Sequence, residues 1–181
     1  MCETLGMQDE RCAIETVVEQ ATRVAVLPDL HEIVRVTNAA YRVEDFFITG
    51  NRTSDSEVAA KMTGADACFL VIDAPTGGLA ASVFVEIRGD RGYFGMLAVD
   101  PAHQKTGLSR VLIDDVEARC RAAGCVALDI SVVNLREELP AFYARLGFTP
   151  TGTAPLVSHH TTRDAHFILM SRPIREAAAR V

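Results

Sequence analysis

The sequence lacks the closely spaced cysteine pairs that a zinc site or a redox pair requires. Its five cysteines are scattered along the chain, and an odd number cannot all pair within one molecule. The adjacent histidines His159 and His160 have no cysteine or carboxylate cluster beside them, and adjacent residues of an extended chain point to opposite sides. We therefore expect reduced thiols and no bound metal.

A surplus of positive charge is also missing. The formal net charge is -6, so no overall basic field can neutralise a nucleic-acid backbone or hold an anionic membrane surface. Apolar runs such as residues 68–72 are far shorter than the roughly 20 residues that span a bilayer, and residues 1–20 lack the pattern of a signal peptide. These absences predict a cytoplasmic protein with no nucleic-acid or membrane partner.

The sequence does contain enough apolar material for one core. Hydrophobic residues make up 49% and charged residues 23% of 181 positions, close to ordinary globular usage. A chain of this length buries roughly 70% of its unfolded surface, and no repeat, low-complexity tract or linker interrupts it. We expect a single domain over residues 1–181, with loose ends at 1–16 and 175–181.

Helix and strand signals alternate in a way that predicts a mixed α/β (α+β) fold. Amphipathic spacing and capping residues indicate helices at about 29–41, 54–64, 107–123 and 139–146. Apolar runs bounded by turn signals indicate strands at about 17–25, 67–73, 79–88, 92–99, 126–133 and 166–171. Three consecutive strands followed by a strand-helix-strand crossover predict a mixed, mostly antiparallel sheet in three layers.

The strand, turn and helix at residues 92–123 carry the most informative pattern. The first amides of a helix have no partners within it and carry partial positive charge, so a turn wrapped around them can bind a phosphate. Gly107, at the end of this turn, permits close approach of the backbone. Because glycine is also common in plain connectors, this segment alone leaves phosphate binding open.

A longer pattern resembles a family. Its parts, in order, are Gln104-x-x-Gly107-x-Ser109 after a strand, Asn134 at the end of the next strand, and Tyr143-x-x-x-Gly147-Phe148. This order is similar to the acyl-CoA site of the GNAT superfamily of acyl-CoA-dependent N-acetyltransferases, over about residues 23–171. The resemblance implies a three-layer GNAT-like fold, a sheet splayed at the acyl-CoA site, and acetyl-CoA (coenzyme A) as the cosubstrate.

The resemblance also implies which residues hold the cofactor. Backbone groups of Leu97, Ala98 and Val99 would pair with the pantetheine arm beside a β-bulge, so that the cofactor behaves like an added strand. The pyrophosphate would be held by backbone amides of Gln104, Lys105, Thr106, Gly107, Leu108 and Ser109. The family usually has Gly or Ala at position 109, so Ser109 places a hydroxyl near the phosphates. Lys105 either adds charge there or is a solvated turn lysine.

Two further side chains take roles from the resemblance. Tyr143 maps onto the general acid that protonates the departing CoA thiolate, and its ordinary pKa near 10 keeps the phenol protonated at pH 7. Helix spacing alone would favour a core role for Tyr143. Asn134 maps onto a polar contact to the cofactor or to an ordered water.

The sequence leaves the general base unassigned. Many relatives carry a glutamate on the strand that corresponds to residues 92–99, and no carboxylate occurs there. The remaining candidates are Glu86, His159, His160 and His166, and deprotonation through waters would need none of them. We expect no single side chain to act as an indispensable base, with water or several groups sharing the work.

The segment after the first helix commonly lines the acceptor side in this family. Here it contains Tyr41, Glu44, Asp45, Phe46 and Phe47. This mix of aromatic and acidic side chains suits an amine. The same residues could instead form a loop packed on the sheet.

Together these features favour an N-acyltransferase that moves an acetyl group from acetyl-CoA to a primary amine by direct attack. The amine would belong to a small molecule or a peptide. The alternative is a noncatalytic acyl-CoA-binding regulatory module, which the missing strand carboxylate allows and Tyr143 argues against. The acceptor, the length of the acyl group and the oligomeric state, including a homodimer, stay open.

Overall fold

The computed structural model describes residues 21–156 and 161–174. In chain order its strands and helices are β1 (Thr22–Val24), α1 (Leu30–Ala40), α2 (Asp55–Met62), β2 (Ala67–Asp73), β3 (Leu79–Arg88), β4 (Arg91–Val99), α3 (Leu108–Ala122), β5 (Ala127–Val133), α4 (Glu138–Arg145), β6 (Thr149–Pro155) and β7 (His166–Pro173). All four expected helices and all six expected strands occur. Residues 17–20 of the expected first strand and both expected loose ends lie outside the described residues.

The seven strands of the described residues form one sheet in the order β1-β2-β3-β4-β5-β7-β6. Neighbouring strands are antiparallel except for β4 and β5, which are parallel. Parallel strands need a crossover connection, and here α3 provides it between β4 and β5. The expected mixed, mostly antiparallel sheet is therefore confirmed.

Helices cover the sheet on both faces. Ile33 of α1 and Val58 of α2 pack in one apolar cluster with Phe84 of β3. The neighbouring Val83 belongs to the second cluster, with Leu112 of α3, because successive residues of a strand point to opposite faces. None of the helices within residues 21–156 and 161–174 is long and apolar enough to cross a membrane. The expected three layers are confirmed.

β6 is the one strand that sequence patterning missed. Its seven residues include Pro150, Gly152 and Pro155 and have no alternation of apolar and polar side chains. It pairs only with β7, at the edge of the sheet, with a register irregularity between Pro150 and Gly152. Proline is tolerated on edge strands because one side needs no ladder hydrogen bonds. Pairing with β7 thus overrides an unfavourable local sequence.

Gly92 allows α3 to lie close against β4. A Cβ atom built on Gly92 would come within 2.3 Å of Cys120 Sγ, 2.9 Å of Cys120 Cβ and 3.0 Å of Leu128 Cδ2. Side chains of α3 and β5 therefore fill the space above this glycine. Gly92 also pairs with Leu128 of β5, so it lies at the junction of β4, β5 and α3.

Gly92→Ala should lower the free energy of unfolding by about 1–3 kcal/mol, the usual cost of forcing an extra carbon into a packed core. Urea denaturation monitored by circular dichroism measures this change. Gly152→Ala is the matched control, because a Cβ atom there meets nothing within 4 Å, and it should change stability by less than about 0.5 kcal/mol. Equal midpoints for the two variants would contradict the packing argument.

Candidate active site

β4 and β5 pair along only part of their lengths. Their parallel pairing ends at Tyr93 and Asp129, although β4 continues to Val99 and β5 to Val133. Beyond Tyr93, β4 keeps its pairing with β3 but not with β5. The sheet is therefore splayed here, and backbone N–H and C=O groups of β4 border the gap.

A β-bulge in β4 accompanies this divergence. Phe84 pairs with Gly95 and Ser82 pairs with Ala98, so two steps along β3 match three steps along β4. Met96 lies within the bulge and has a φ of 51°, a left-handed conformation that costs a non-glycine residue roughly 1–2 kcal/mol. A bulge bends its strand and increases the local twist. The end of β4 is thereby turned away from β5.

The turn between β4 and α3 starts from a braced aspartate. The side chain of Asp100 accepts hydrogen bonds from the backbone N–H of Ala102 at 2.9 Å and from Arg35 of α1 at 2.5 Å. Arg35 also pairs with Glu32 and donates to the carbonyl of Leu79 at 3.1 Å. The Arg35 guanidinium holds the pKa of Asp100 below its ordinary value. This network ties the start of the turn to α1 and to the sheet.

Two residues with positive φ shape the end of the turn. Lys105 has a φ of 66° and Gly107 one of 89°, in the left-handed region that glycine adopts without steric cost. α3 begins at the next residue, Leu108, and Gly107 has no side chain with which to cap it. The first N–H groups of α3 therefore have no side-chain cap and are available to an anion.

A groove of about 660 Å³ runs between the end of β4, this turn and α4. β4 contributes Leu97 and Val99 to its walls. The turn and the start of α3 contribute Gln104, Lys105, Gly107, Leu108 and Ser109. These seven residues belong to the ten that the sequence predicted to bind a cofactor. The structure thus brings most of the predicted site together.

An inner cavity of about 200 Å³ lies where β4 and β5 part, and it shares Leu97 and Leu139 with the groove. Tyr143 of α4 lines this cavity and is only 7% exposed. Its ring packs edge-on against Phe142 and Phe148, with centroids 5.1 and 5.7 Å away. Burial raises the pKa of Tyr143 above its ordinary value, so the phenol keeps its proton at neutral pH.

Glu44 is a buried carboxylate on the wall of the inner cavity. It ends the short helical turn Tyr41–Glu44 after α1 and is 3% exposed. Arg136 Nη1 donates a hydrogen bond to Glu44 Oε1 at 3.1 Å. Arg52 Nε lies 3.6 Å from Oε2, and neither of these two atoms has a hydrogen-bond partner among the described residues. Burial raises the pKa of Glu44 despite both arginines.

An outer cavity of about 590 Å³ shares Tyr41, Glu44 and Arg52 with the inner one. The Arg52 guanidinium lies over the Tyr41 ring, 5.2 Å from its centroid, and burial raises the pKa of Tyr41 to about 12. Asp45 also lines the outer cavity. Tyr41, Glu44 and Arg52, which line both cavities, therefore lie at the boundary between the inner and the outer cavity.

The sequence matches the family described as an acetyltransferase (GNAT) domain over residues 42–162. This span is more than half of the chain and includes β4, the turn before α3, and Tyr143. The chain belongs to the GNAT acetyltransferase family. No curated protein matches the sequence significantly.

Solved GNAT acetyltransferases share the fold of this chain. The ribosomal-protein-S18-alanine N-acetyltransferase of Escherichia coli is 20% identical, with a TM-score of 0.71 over 89% of this chain and 97% of that one. A phosphinothricin acetyltransferase of Sinorhizobium meliloti, solved in complex with AcCoA, is 18% identical, with a TM-score of 0.66 over 89% and 91%. The yncA protein of Salmonella typhimurium, solved with its cofactor acetyl-CoA, is 21% identical, with a TM-score of 0.65 over 89% and 97%. The family resemblance of the sequence is confirmed.

Three predicted residues of this GNAT acetyltransferase do not line the groove. Ala98 is 1% exposed and packs in the cluster under α1. Thr106 is exposed, and its hydroxyl donates to the carbonyl of His103 at 2.6 Å. Asn134 Oδ1 accepts a hydrogen bond from the backbone N–H of His166 at 2.9 Å, so this side chain helps to join β5 and β7. Only main-chain contacts of Ala98 and Thr106 remain compatible with cofactor binding.

The described base candidates of this GNAT acetyltransferase lie away from the inner cavity. Glu86 on β3 pairs with Arg88 at 2.5 Å, and His166 is exposed at the start of β7; neither lines the cavity. His159 and His160 lie outside the described residues. Sequence reasoning placed Glu44 on the acceptor side but not among the bases, because burial of one carboxylate leaves no local sequence pattern.

The acceptor-side segment is divided by the fold. Tyr41, Glu44 and Asp45 line the inner or the outer cavity. Phe47 is fully buried, and Phe46 is 45% exposed with Arg163 over its ring. Phe47 therefore matches the other interpretation, in which the segment packs on the sheet, and Phe46 lines neither the inner nor the outer cavity.

Asp100→Asn should lower the free energy of unfolding by about 1 kcal/mol at pH 7, a modest value because the partner Arg35 is half exposed. A carboxyl whose folded pKa is lowered stabilises the fold above its unfolded pKa of about 3.9, and this contribution is lost as pH falls through the folded value. The difference between wild type and variant should therefore shrink below about pH 4. Urea denaturation from pH 7 to pH 3 measures it.

Asp114→Asn is the control for this series. Asp114 pairs with Arg110 at 3.0 Å on the exposed face of α3, where such pairs contribute little. The free energy of unfolding of Asp114→Asn should equal that of the wild type at every pH. A wild-type advantage over Asp100→Asn that grows towards pH 3 would have the wrong sign and contradict the argument.

Proposed function

We propose that this GNAT acetyltransferase moves an acetyl group from acetyl-CoA to a primary amine of a small molecule or peptide by direct attack. The observation that carries the proposal is the continuity of the open end of β4, from the turn before α3 to the cavity that holds Tyr143. A long, thin, anionic thioester suits this shape. Phosphates would occupy one end and the acyl group the other.

The phosphate end is supported by its backbone and its charge. The first N–H groups of α3 have no side-chain cap, and Lys105, Arg136 and Arg145 also line the groove. Helix N-termini and nearby cations both favour bound phosphate. Ser109 is half-buried on the wall, where its hydroxyl could donate to a phosphate oxygen.

The pantetheine arm would lie along β4. After Tyr93 this strand has no partner on the β5 side within the part of the chain that the structure describes, so its main-chain groups can hydrogen-bond to the amides of the arm as they would to another strand. The side chains of Leu97 and Val99 add apolar contacts along the groove. Ala98 points into the core below α1, which is compatible with contacts made by its main chain.

Transfer needs an acid for the leaving group. The amine nitrogen attacks the thioester carbonyl carbon, the C–S bond breaks, and Tyr143 gives its proton to the departing sulfur. Burial raises the pKa of Tyr143, so proton transfer to a thiolate of ordinary pKa near 8.5 is uphill by more than about 2 kcal/mol. A thiolate formed in the same buried place also has a raised pKa, which reduces that cost.

Acetyl-CoA should stabilise the fold by about 2.7 kcal/mol at 100 times its dissociation constant. Gly107→Glu should abolish this shift, because the new carboxylate would enter the phosphate end of the groove. Differential scanning fluorimetry with millimolar acetyl-CoA measures it. An unchanged melting temperature for the folded wild type would reject the proposed cofactor.

The control for Gly107→Glu is Gly124→Glu. Both glycines have positive φ, 89° and 82°, and a Cβ atom on either meets nothing within 4 Å. The two variants therefore carry similar backbone strain and the same added charge, but Gly124 follows the far end of α3. Gly124→Glu should keep the full acetyl-CoA shift.

Tyr143→Phe should reduce turnover by roughly 100-fold, the lower end for general acid catalysis, since a thiolate is already a fair leaving group. Affinity for acetyl-CoA should stay nearly unchanged because the ring packing is kept. Steady-state rates of CoA release and calorimetric binding measure both quantities. Tyr93→Phe removes another hydroxyl from the cavity wall and should keep turnover near that of wild type. Equal rates for Tyr143→Phe and wild type would remove Tyr143 from the mechanism.

A further inference from the structure

One carboxylate lines the inner cavity among the described residues, that of Glu44, and no histidine of this part of the chain lines it. Carboxylate and imidazole are the side chains that ordinarily accept a proton at neutral pH. Glu44 alone is left as a base beside the proposed acid Tyr143.

The two oxygens of the Glu44 carboxylate have different contacts. Arg136 Nη1 donates to Oε1 at 3.1 Å, which fixes the orientation of the carboxylate. Oε2 lies 3.6 Å from Arg52 Nε, an ion-pair distance, and has no hydrogen-bond partner among the described residues. A buried carboxylate oxygen without a donor is costly. An acceptor ammonium group has three N–H donors and would satisfy it.

We infer that Glu44 binds the acceptor ammonium and is the general base of the transfer, an inference that rests on the proposed function. Its carboxylate takes one proton from the ammonium nitrogen. The freed electron pair forms the N–C bond with the thioester carbonyl carbon, the C–S bond breaks, and the sulfur takes the proton of Tyr143. The nitrogen loses a second proton as the amide forms, and that proton returns Tyr143 to its phenol form through water, while Glu44 releases its own proton to solvent.

The charges around Glu44 determine whether the proton moves. In water, transfer from an ammonium to a carboxylate is unfavourable by about a millionfold in the equilibrium constant. Burial disfavours both the ammonium and the carboxylate, so it lowers the pKa of the amine and raises that of Glu44. The difference between the two pKa values therefore shrinks. Arg52 and Lys61 on the same wall further disfavour the ammonium form.

Groups from every neighbouring element act on Glu44. Arg52, in the segment before α2, and Arg136, before α4, lower its pKa, and Glu138 at the start of α4 raises it. Tyr41 of its own helical turn stays protonated, with its pKa raised to about 12. Burial outweighs the arginines, so the pKa of Glu44 is raised overall, which makes it a stronger base than an exposed glutamate.

The test uses Glu44→Gln, which keeps the volume and an oxygen for Arg136 but removes the base. Primary amines (butylamine, an amino-acid amide and a short peptide) are screened with the wild type for CoA release, and the fastest becomes the probe. At pH 7 the variant should lose about 100-fold in kcat/KM and keep its acetyl-CoA affinity, while its melting temperature falls because Arg136 and Arg52 lose the charge opposite them.

The pH profile separates a base from a structural residue. Wild-type kcat/KM should be level between the pKa of Glu44 and that of the amine, because the base takes a proton from the ammonium. Glu44→Gln can use only free amine, so its kcat/KM should rise tenfold per pH unit up to the pKa of the amine. Its deficit should therefore shrink as pH rises, whereas a structural defect would lower activity equally at every pH.

Two further variants complete the design. Glu44→Asp keeps a carboxylate and should restore a level profile at an intermediate rate. Glu86→Gln changes a carboxylate outside the cavity and should behave like wild type. If Glu44→Gln keeps the wild-type rate and profile, the assignment of Glu44 is wrong while acetyl transfer stands. If no amine releases CoA from the wild type although acetyl-CoA binds, the proposed function fails and this inference with it.

Discussion

Backbone hydrogen bonding between β4 and β5 stops after Tyr93 and Asp129, and the groove and the inner cavity, both lined by the end of β4, depend on that interruption. A sheet that continued its pairing would fill the space with its own ladder and leave no main-chain groups for a ligand. The bulge at Met96 supplies the bend at a cost of roughly 1–2 kcal/mol. Pairing of Gly95 and Ala98 with β3 on either side of the bulge holds this strained backbone in place.

The charged residues are arranged around the same opening. Arg136 lines the groove and also donates to Glu44, so one guanidinium borders both the proposed phosphate-bearing ligand and the buried carboxylate. Burying an ion pair costs desolvation free energy, and removing only one partner costs more because it leaves an unpaired charge in the interior. The value of this pair is geometric, because Arg136 fixes one oxygen of Glu44, while the other lies 3.6 Å from Arg52 Nε without a hydrogen bond among the described residues. Tyr143, which packs against the rings of Phe142 and Phe148, lines the inner cavity together with Glu44.

Features that depend on local patterns could be predicted from the sequence, and features that depend on distant contacts could not. Amphipathic spacing located α3, and Gly107 marked the turn before it, because both signals lie within a few residues. β6 could not be predicted, since its prolines and glycine argue against a strand and its strand conformation depends on pairing with β7. Burial of Glu44 depends on Arg52 and Arg136 arriving from separate parts of the chain, and no local pattern records that.

The edge strand β6 also bears on how the protein behaves at high concentration. An exposed sheet edge offers unpaired N–H and C=O groups to the edges of other molecules, which is a common route to aggregation. Pro150 and Pro155 have no N–H to offer, and the irregularity beside Pro150 disturbs the spacing of the remaining groups. A second chain approaching this edge would meet an interrupted ladder. The prolines that argue against a strand in the sequence thus leave β6 with fewer backbone groups for another chain to pair with.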